Sequence, residues 1–194
     1  MEIVSGIINI EPSKKVAFVL EKPTPVLSDK GKKKVIKDGI HIIFPYITTI
    51  PKLQYIWRYK AIIDDSIEKL CEPLELVNTL DDVFDIAVIE RNNWQMYGSC
   101  KPNNLTYKLT YIGDYNSGDL KFIDNKHNDL DLIKILSIRN IKDKYKLNLT
   151  DYMSVIDEQY ETIPKKDKVK KRKKPINKKR KSPTKKNFVE TDEE

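Results

Sequence analysis

Six consecutive residues, Ile40-His41-Ile42-Ile43-Phe44-Pro45, constrain the fold more than any other stretch. They read as a short apolar strand, from about Ile40 to Tyr46. It is entered through an Asp38-Gly39 turn and closed by proline, which removes a backbone donor. Strand alternation puts Ile40, Ile42 and Phe44 on one face and His41 and Ile43 on the other. A strand that apolar needs a sheet, and the chain offers candidates. Ser5–Ile10 and Val16–Leu20 are rich in β-formers and flank a turn at Glu11–Lys15. Val83–Ile89 reads as a strand with Asp85 among apolar neighbours, and Trp94–Tyr97 and Leu105–Ile112 read as two more.

The segments between them read as helices and loops. Pro51 can open a helix that places Leu53, Ile56, Trp57 and Lys60 at helical spacing. Asp64–Leu80 has a similar pattern, interrupted at Pro73. Asp129–Asn140 carries a stripe of Leu132, Ile135, Leu136 and Arg139, and Leu149–Tyr160 reads as a last helix capped by Thr150 or Asp151. Ser28–Lys34 reads as a lysine-rich loop and Asp114–Asn128 as a polar connection.

From Pro164 onward the chain changes character. Of its 36 Lys and Arg, 14 lie in residues 164–194 against 5 Asp and Glu; the remaining 22 basic residues face 24 acidic ones. The net charge of +7 therefore belongs to the tail and not to the body. Such a run has little to bury and repels itself, so disorder is expected there. Lys170, Lys171, Arg172, Lys173 and Lys174, with Lys178, Lys179, Arg180 and Lys181, are candidates for nucleic-acid backbone contacts or for a nuclear-localisation signal. No apolar run approaches the roughly 20 residues needed to span a bilayer, so no membrane association is expected. The start lacks a basic segment followed by an apolar one, which speaks against a secretory signal. Cys71 and Cys100 suggest reduced thiols in an intracellular setting.

Three groups of residues could carry chemistry. His41 is either a satisfied structural histidine or a donor to a phosphate oxygen, with Lys37 and the Asp38-Gly39 turn beside it. Asp85 on an apolar strand needs a basic partner, with Arg58 or Arg91 available, or exposure at the strand end, or a hard cation. Gly98-Ser99-Cys100-Lys101-Pro102 is either an ordinary turn or a phosphate-holding loop, and it lacks the spacing of a P-loop.

Taken in order, Val16–Pro25, Lys37–Pro45 and Asn93–Pro102 resemble the primase-polymerase domain of the archaeo-eukaryotic primase superfamily. The nearest variety is the primase-helicase proteins of large nucleocytoplasmic DNA viruses, and the resemblance spans roughly Val16 to Asn140. It implies an α/β (α+β) fold, a mixed sheet packed by helices. The partial domain would occupy residues 1–160, with a disordered basic tail over 161–194. Gly39-Ile40-His41 resembles the family's small-x-His motif and Phe84-Asp85 its hydrophobic-Asp motif. The resemblance thus implies His41 and Asp85 as catalytic residues and Asp85 as ligand to Mg²⁺ or Mn²⁺. It implies His41, Ser99, Lys101 and Arg91 around the nucleotide phosphates. The family's DxD motif is missing upstream of His41; Asp129-Leu130-Asp131 has the spacing but falls on an expected helix downstream. A Walker A sequence is also missing. The implied function is part of a viral-type DNA primase, making primers in DNA replication by two-metal nucleotidyl transfer. Without the first metal motif this chain is expected to be inactive alone. Its expected partners are single-stranded DNA template, nucleotides, and a separate chain carrying the DxD motif and a helicase, at a viral replication site in the host cytoplasm or nucleus. The alternative is a non-catalytic nucleic-acid-binding protein that uses its basic tail. A metal-dependent hydrolase built on His41 and Asp85 needs more ligands than the sequence offers.

Overall fold

The structure is a computed structural model that describes residues 1–30, 33–92, 94–138 and 145–168. The basic positions 170–181, with their expected disorder, lie outside the described residues. In chain order the elements are α1 (Glu2–Ser5), β1 (Val16–Glu21), β2 (Val26–Lys30), β3 (Lys33–Lys37), β4 (Ile40–Ile43), β5 (Ile47–Thr48), α2 (Pro51–Ile62), α3 (Asp65–Cys71), α4 (Leu80–Val83), α5 (Ala87–Glu90), β6 (Lys108–Asp114), β7 (Lys121–Ile123), α6 (Asp129–Ile135), β8 (Tyr145–Lys146) and α7 (Met153–Thr162). Helices and largely antiparallel strands are mixed without βαβ repetition, the α+β class expected from the sequence.

Among the described residues the main sheet has strand order β4-β1-β6-β7, antiparallel throughout. β1 is its organising strand. Phe18 pairs with Ile43 and with Ile112; Leu20 pairs with His41 and with Leu109. A bulge at Thr110 shifts the β6 register, so that Leu109 and Ile112, three residues apart, both lie on the inner face. The Thr110 hydroxyl donates to the Val19 carbonyl at 3.2 Å across the irregularity. The inner face buries Phe18, Leu20 and Ile112 against Leu132 and Leu136 of the α6 segment. α6 starts where Asn128 accepts the Asp131 N–H.

A second core forms around α2, which opens at Pro51 as the sequence predicts. Leu53, Tyr55 and Ile56 pack with Ile8, Ile10, Ile156 and Ile163. Residues 6–10 are therefore not the expected strand. Their isoleucines are drawn into the helical core beside Leu53 and Ile56, so tertiary packing overrides β-propensity there. The expected loop over Ser28–Lys34 belongs to the β2–β3 hairpin, in whose register Asp29 stands opposite Lys34. The helix over Asp64–Leu80 is interrupted at Pro73 as predicted: α3 gives way to a 3-10 turn at Glu72–Leu74, and Glu75 turns left-handed. Among the described residues no helix is long and apolar enough to cross a membrane.

The largest departure concerns Val83–Ile89. It is not a strand but the join between α4 and α5. Thr79 and Asp82 form a capping box that starts α4, and Asp85 accepts the Ala87 N–H at 2.8 Å as α5 begins. Arg58 of α2 holds the join from beneath. Its guanidinium donates to the carbonyls of Phe84 (2.6 Å) and Asp81 (3.0 Å) and to the Asp81 carboxylate, and it stands 3.7 Å from Asp167. Asp167 is 6% exposed, so packing continues past residue 160, where Ile163 is also buried. Replacing Arg58 with Leu leaves that carboxylate without its cation. We expect a loss of about 3–5 kcal/mol, read by urea unfolding, with much of it recovered in the Arg58→Leu/Asp167→Leu double variant. A loss below about 1 kcal/mol, the scale of an exposed pair, would show that the buried pair does not support the fold.

Candidate functional site

At the end of the inner sheet face the core gives way to a cluster of aromatic and basic groups. His41 follows Ile43 outward along β4, and Lys22 follows Phe18 and Leu20 along the line of β1. The exposures of Ile40 (57%) and Ile42 (55%) show that the other face of β4 is open and that His41 belongs to the inner side. Tyr107, just before β6, crosses the end of β1. Its ring stacks on the imidazole at 4.0 Å between centroids and 14° between planes. Trp94 meets the same imidazole edge-on at 5.0 Å. The Lys22 ammonium stands over the Tyr107 ring at 5.7 Å.

Gly39 makes this possible. A Cβ at that position would come within 2.7 Å of the Tyr107 hydroxyl, so a side chain there would push the phenol off the histidine. The glycine of the Gly39-Ile40-His41 motif thus has a steric reason in this chain. The turn into β4 is set by Asp38, whose carboxylate accepts the Gly39 N–H at 2.7 Å.

The half-buried His41 has its pKa lowered, first by desolvation and then by the Lys22 charge. At neutral pH it is therefore uncharged, with one ring nitrogen a donor and the other an acceptor. Neither nitrogen is hydrogen-bonded within the described residues, so both are available to a ligand.

Among the described residues no hydrogen bond, ion pair or ring contact joins the other expected site residues to this cluster. Asp85 is exposed, and none of the described hydrogen bonds, ion pairs or ring contacts joins it to His41. It is not paired with Arg58, which holds Asp81 and Asp167 instead, nor with Arg91, which follows α5 beside the Tyr55–Glu90 hydrogen bond. Ser99 spends its hydroxyl on the Met96 carbonyl at 2.7 Å, and Lys101 is exposed on the following turn. Trp94 is the physical link between the two regions: its indole N–H donates to the Val88 carbonyl of α5 while its ring meets His41. Among the described residues no three His, Cys, Asp or Glu side chains are grouped as a metal ion would need. Asp85 alone, one oxygen already engaged by Ala87, does not fit a two-metal site. Asp129 and Asp131 sit in the first turn of α6, as expected.

Sequence reasoning missed Lys22, Tyr107 and Trp94 as neighbours of His41. Lys22 was legible in principle, since it continues the alternation of Phe18 and Leu20. Tyr107 was not, because its approach depends on the strand order.

Residues 1–113 match the family model described as the C962R protein N-terminal AEP domain. The chain belongs to this family of archaeo-eukaryotic primase domains. The matched segment runs from α1 into β6 and includes His41, Asp85 and Lys101. Over 102 residues the chain is 38% identical to a putative helicase, L207/L206, of Acanthamoeba polyphaga mimivirus. That match covers 53% of this chain and 10% of the mimivirus protein, so the chain spans a small part of the curated relative's length. No solved structure matches it.

The lowered His41 pKa has a sign that can be checked. The proton is bound more readily in the unfolded chain, so this residue's contribution to stability is complete above the ordinary value of 6.5 and is lost as pH falls through the lower folded value. The His41 ring is expected to titrate below 6.5 by NMR, and Gly39→Ala, by displacing Tyr107, is expected to move it upward. A titration at or above the ordinary value in the unaltered protein would contradict the burial and the Lys22 contact.

Proposed function

We propose that this domain anchors the phosphates of a nucleotide at His41 and Lys22 and serves as part of a viral-type DNA primase. The observation that carries the reading is His41 itself, clamped between Tyr107 and Trp94 two residues after a glycine that the clamp requires. A neutral imidazole fixed in orientation donates an N–H to a phosphate oxygen without first losing a competing partner. Lys22 supplies the cation that balances the anion's charge. Family membership supports the same reading, since the small-x-His resemblance assigns the histidine to nucleotide phosphate.

In this proposal Lys101, Ser99 and Arg91 also contact the nucleotide phosphates. Primer synthesis by nucleotidyl transfer needs several carboxylates around Mg²⁺ or Mn²⁺. The described residues offer Asp85 alone, and no step is assigned to a metal here. A partner chain carrying a DxD motif, acting with a helicase on single-stranded DNA at an intracellular site of viral replication, supplies what remains. By itself the chain binds nucleotide without extending a primer.

The second reading, a nucleic-acid-binding protein that works through its tail, rests on the 14 Lys and Arg of residues 164–194. Calorimetry separates the two. Under the first, His41→Ala and Lys22→Gln each weaken nucleoside triphosphate binding about tenfold, equivalent to about 1.4 kcal/mol. Truncation after Lys168 leaves that binding unchanged. Under the second, the same truncation flattens the salt dependence of DNA binding while His41→Ala has no effect on any ligand. Triphosphate binding that ignores both His41 and Lys22 would overturn the first reading.

A further inference from the structure

Where α2 ends, a groove of about 760 Å³ lies between that helix, the segment from α3 to α4 and the chain that follows α7. Part of its lining is apolar: Tyr59, Ile62, Ile63, Leu76 and Leu80, of which Ile63 (57%) and Leu76 (42%) stand open to solvent. Much of the remainder is acidic. Among the described lining residues Glu68, Glu72, Glu75, Asp81 and Asp167 stand against one cation, Lys166. Arg58 takes up Asp81 and Asp167. Glu68, Glu72 and Glu75 are exposed, and their carboxylates make no hydrogen bond or ion pair among the described residues. The C-terminal end of α2, the negative end of its dipole, opens on the same groove at Ile62 and Ile63.

From this lining, and from where the described chain ends, we infer that the groove is the docking surface for the chain's own basic segment, residues 169–181. Pro164, Lys166 and Asp167 belong to the groove wall, and Arg58 holds Asp167 there. The Lys168 ammonium pairs with Glu161 at 3.1 Å, so the segment starts beside the groove. The eight residues from Lys168 to Ile176 reach up to about 28 Å when extended. A tether this short keeps segment and groove at an effective concentration on the order of millimolar, so a modest attraction suffices. The chemistry also matches. Positions 170–174 and 178–181 carry nine Lys and Arg, with Ile176 between the two runs. Long basic side chains lay their stems on apolar surface while their charged ends reach past it. Such a run covers the strip from Tyr59 to Leu80 and brings cations to Glu68, Glu72 and Glu75. The same carboxylates repel an acidic partner, nucleic acid included. Docking therefore withholds the tail's cations from nucleic-acid phosphates, and the two compete for one segment. The inference does not depend on the role proposed for His41.

The test uses the full chain with a nitroxide at position 177, introduced as Asn177→Cys with Cys71→Ser and Cys100→Ser. ¹⁵N-labelled, spin-labelled protein is mixed with a large excess of unlabelled protein that carries no nitroxide, so that only contacts within one chain broaden amides. At low salt we expect broadening centred on residues 62–63 and 68–76. It should be lost at high salt and in Glu68→Gln/Glu72→Gln/Glu75→Gln, whose amide spectrum reports that the fold is kept. The same triple variant, without the nitroxide, is expected to bind single-stranded DNA about tenfold more tightly than the unaltered chain at low salt, because the tail is released. Asp119→Asn/Asp124→Asn/Glu158→Gln removes as many exposed carboxylates outside the groove and is expected to change DNA binding far less. Broadening that is spread over the surface or centred elsewhere overturns the inference. Broadening that survives the triple glutamine change overturns the pairing of charges. Broadening seen only without the unlabelled excess assigns the groove to the tail of a second copy and overturns docking within one chain. Equal gains in DNA affinity from the two triple variants overturn the competition.

Discussion

The register of β1 between β4 and β6 decides what the rest of this molecule can be. Pairing Leu20 with both His41 and Leu109 makes one cross-strand row of two core residues and a histidine. One step further in, the row of Phe18, Ile43 and Ile112 is core throughout. A slip of one residue would send Phe18 and Leu20 to the open face and take His41 away from Tyr107. The hydrophobic burial that fixes the sheet therefore also fixes the imidazole. The bulge at Thr110 belongs to the same constraint, because it lets Ile112 and Leu109 share the inner face while β6 still delivers Tyr107 to the end of β1.

Much of this was legible in the sequence. Val16–Leu20 and the strand at Ile40 announce themselves through β-branched residues bounded by turns, and both form, the second ending at Ile43 instead of Tyr46. Pro51 and Pro73 mark the start of α2 and the interruption after α3 because proline's missing N–H leaves few other places for it. His41 stood out because Gly39 precedes it, and the structure gives that glycine a steric task. Val83–Ile89 misled because short apolar runs do not reveal their period. Phe84, Ile86 and Val88 alternate on paper, yet the capping box at Thr79 and the Arg58 anchor on the Phe84 carbonyl turn the segment into two short helices. Capping residues were visible; a guanidinium arriving from α2 was not.

The site shows the same division. The identity of the central residue could be read from local pattern, whereas its neighbours came from topology. Tyr107 lies 66 residues from His41 and reaches it only because β1, β4 and β6 are adjacent. Asp85, which the sequence pairs with His41 as a second site residue, is exposed, and its carboxylate accepts the Ala87 N–H where α5 begins. Its expected place on a neighbouring strand depended on a strand that does not form.

What emerges is an archaeo-eukaryotic primase domain whose described residues are arranged to orient an imidazole rather than to assemble carboxylates. The central claim concerns the two ring nitrogens of His41, without a hydrogen-bond partner among the described residues and proposed to meet an anion. Long-range ¹H–¹⁵N NMR of the imidazole, recorded at neutral pH with and without a nucleoside triphosphate, tests it most directly. The account expects a neutral ring in the free protein and a marked shift of a ring nitrogen on saturation, accompanied by movement of the Tyr107 ring protons. Saturation that leaves both nitrogens where they were would contradict it.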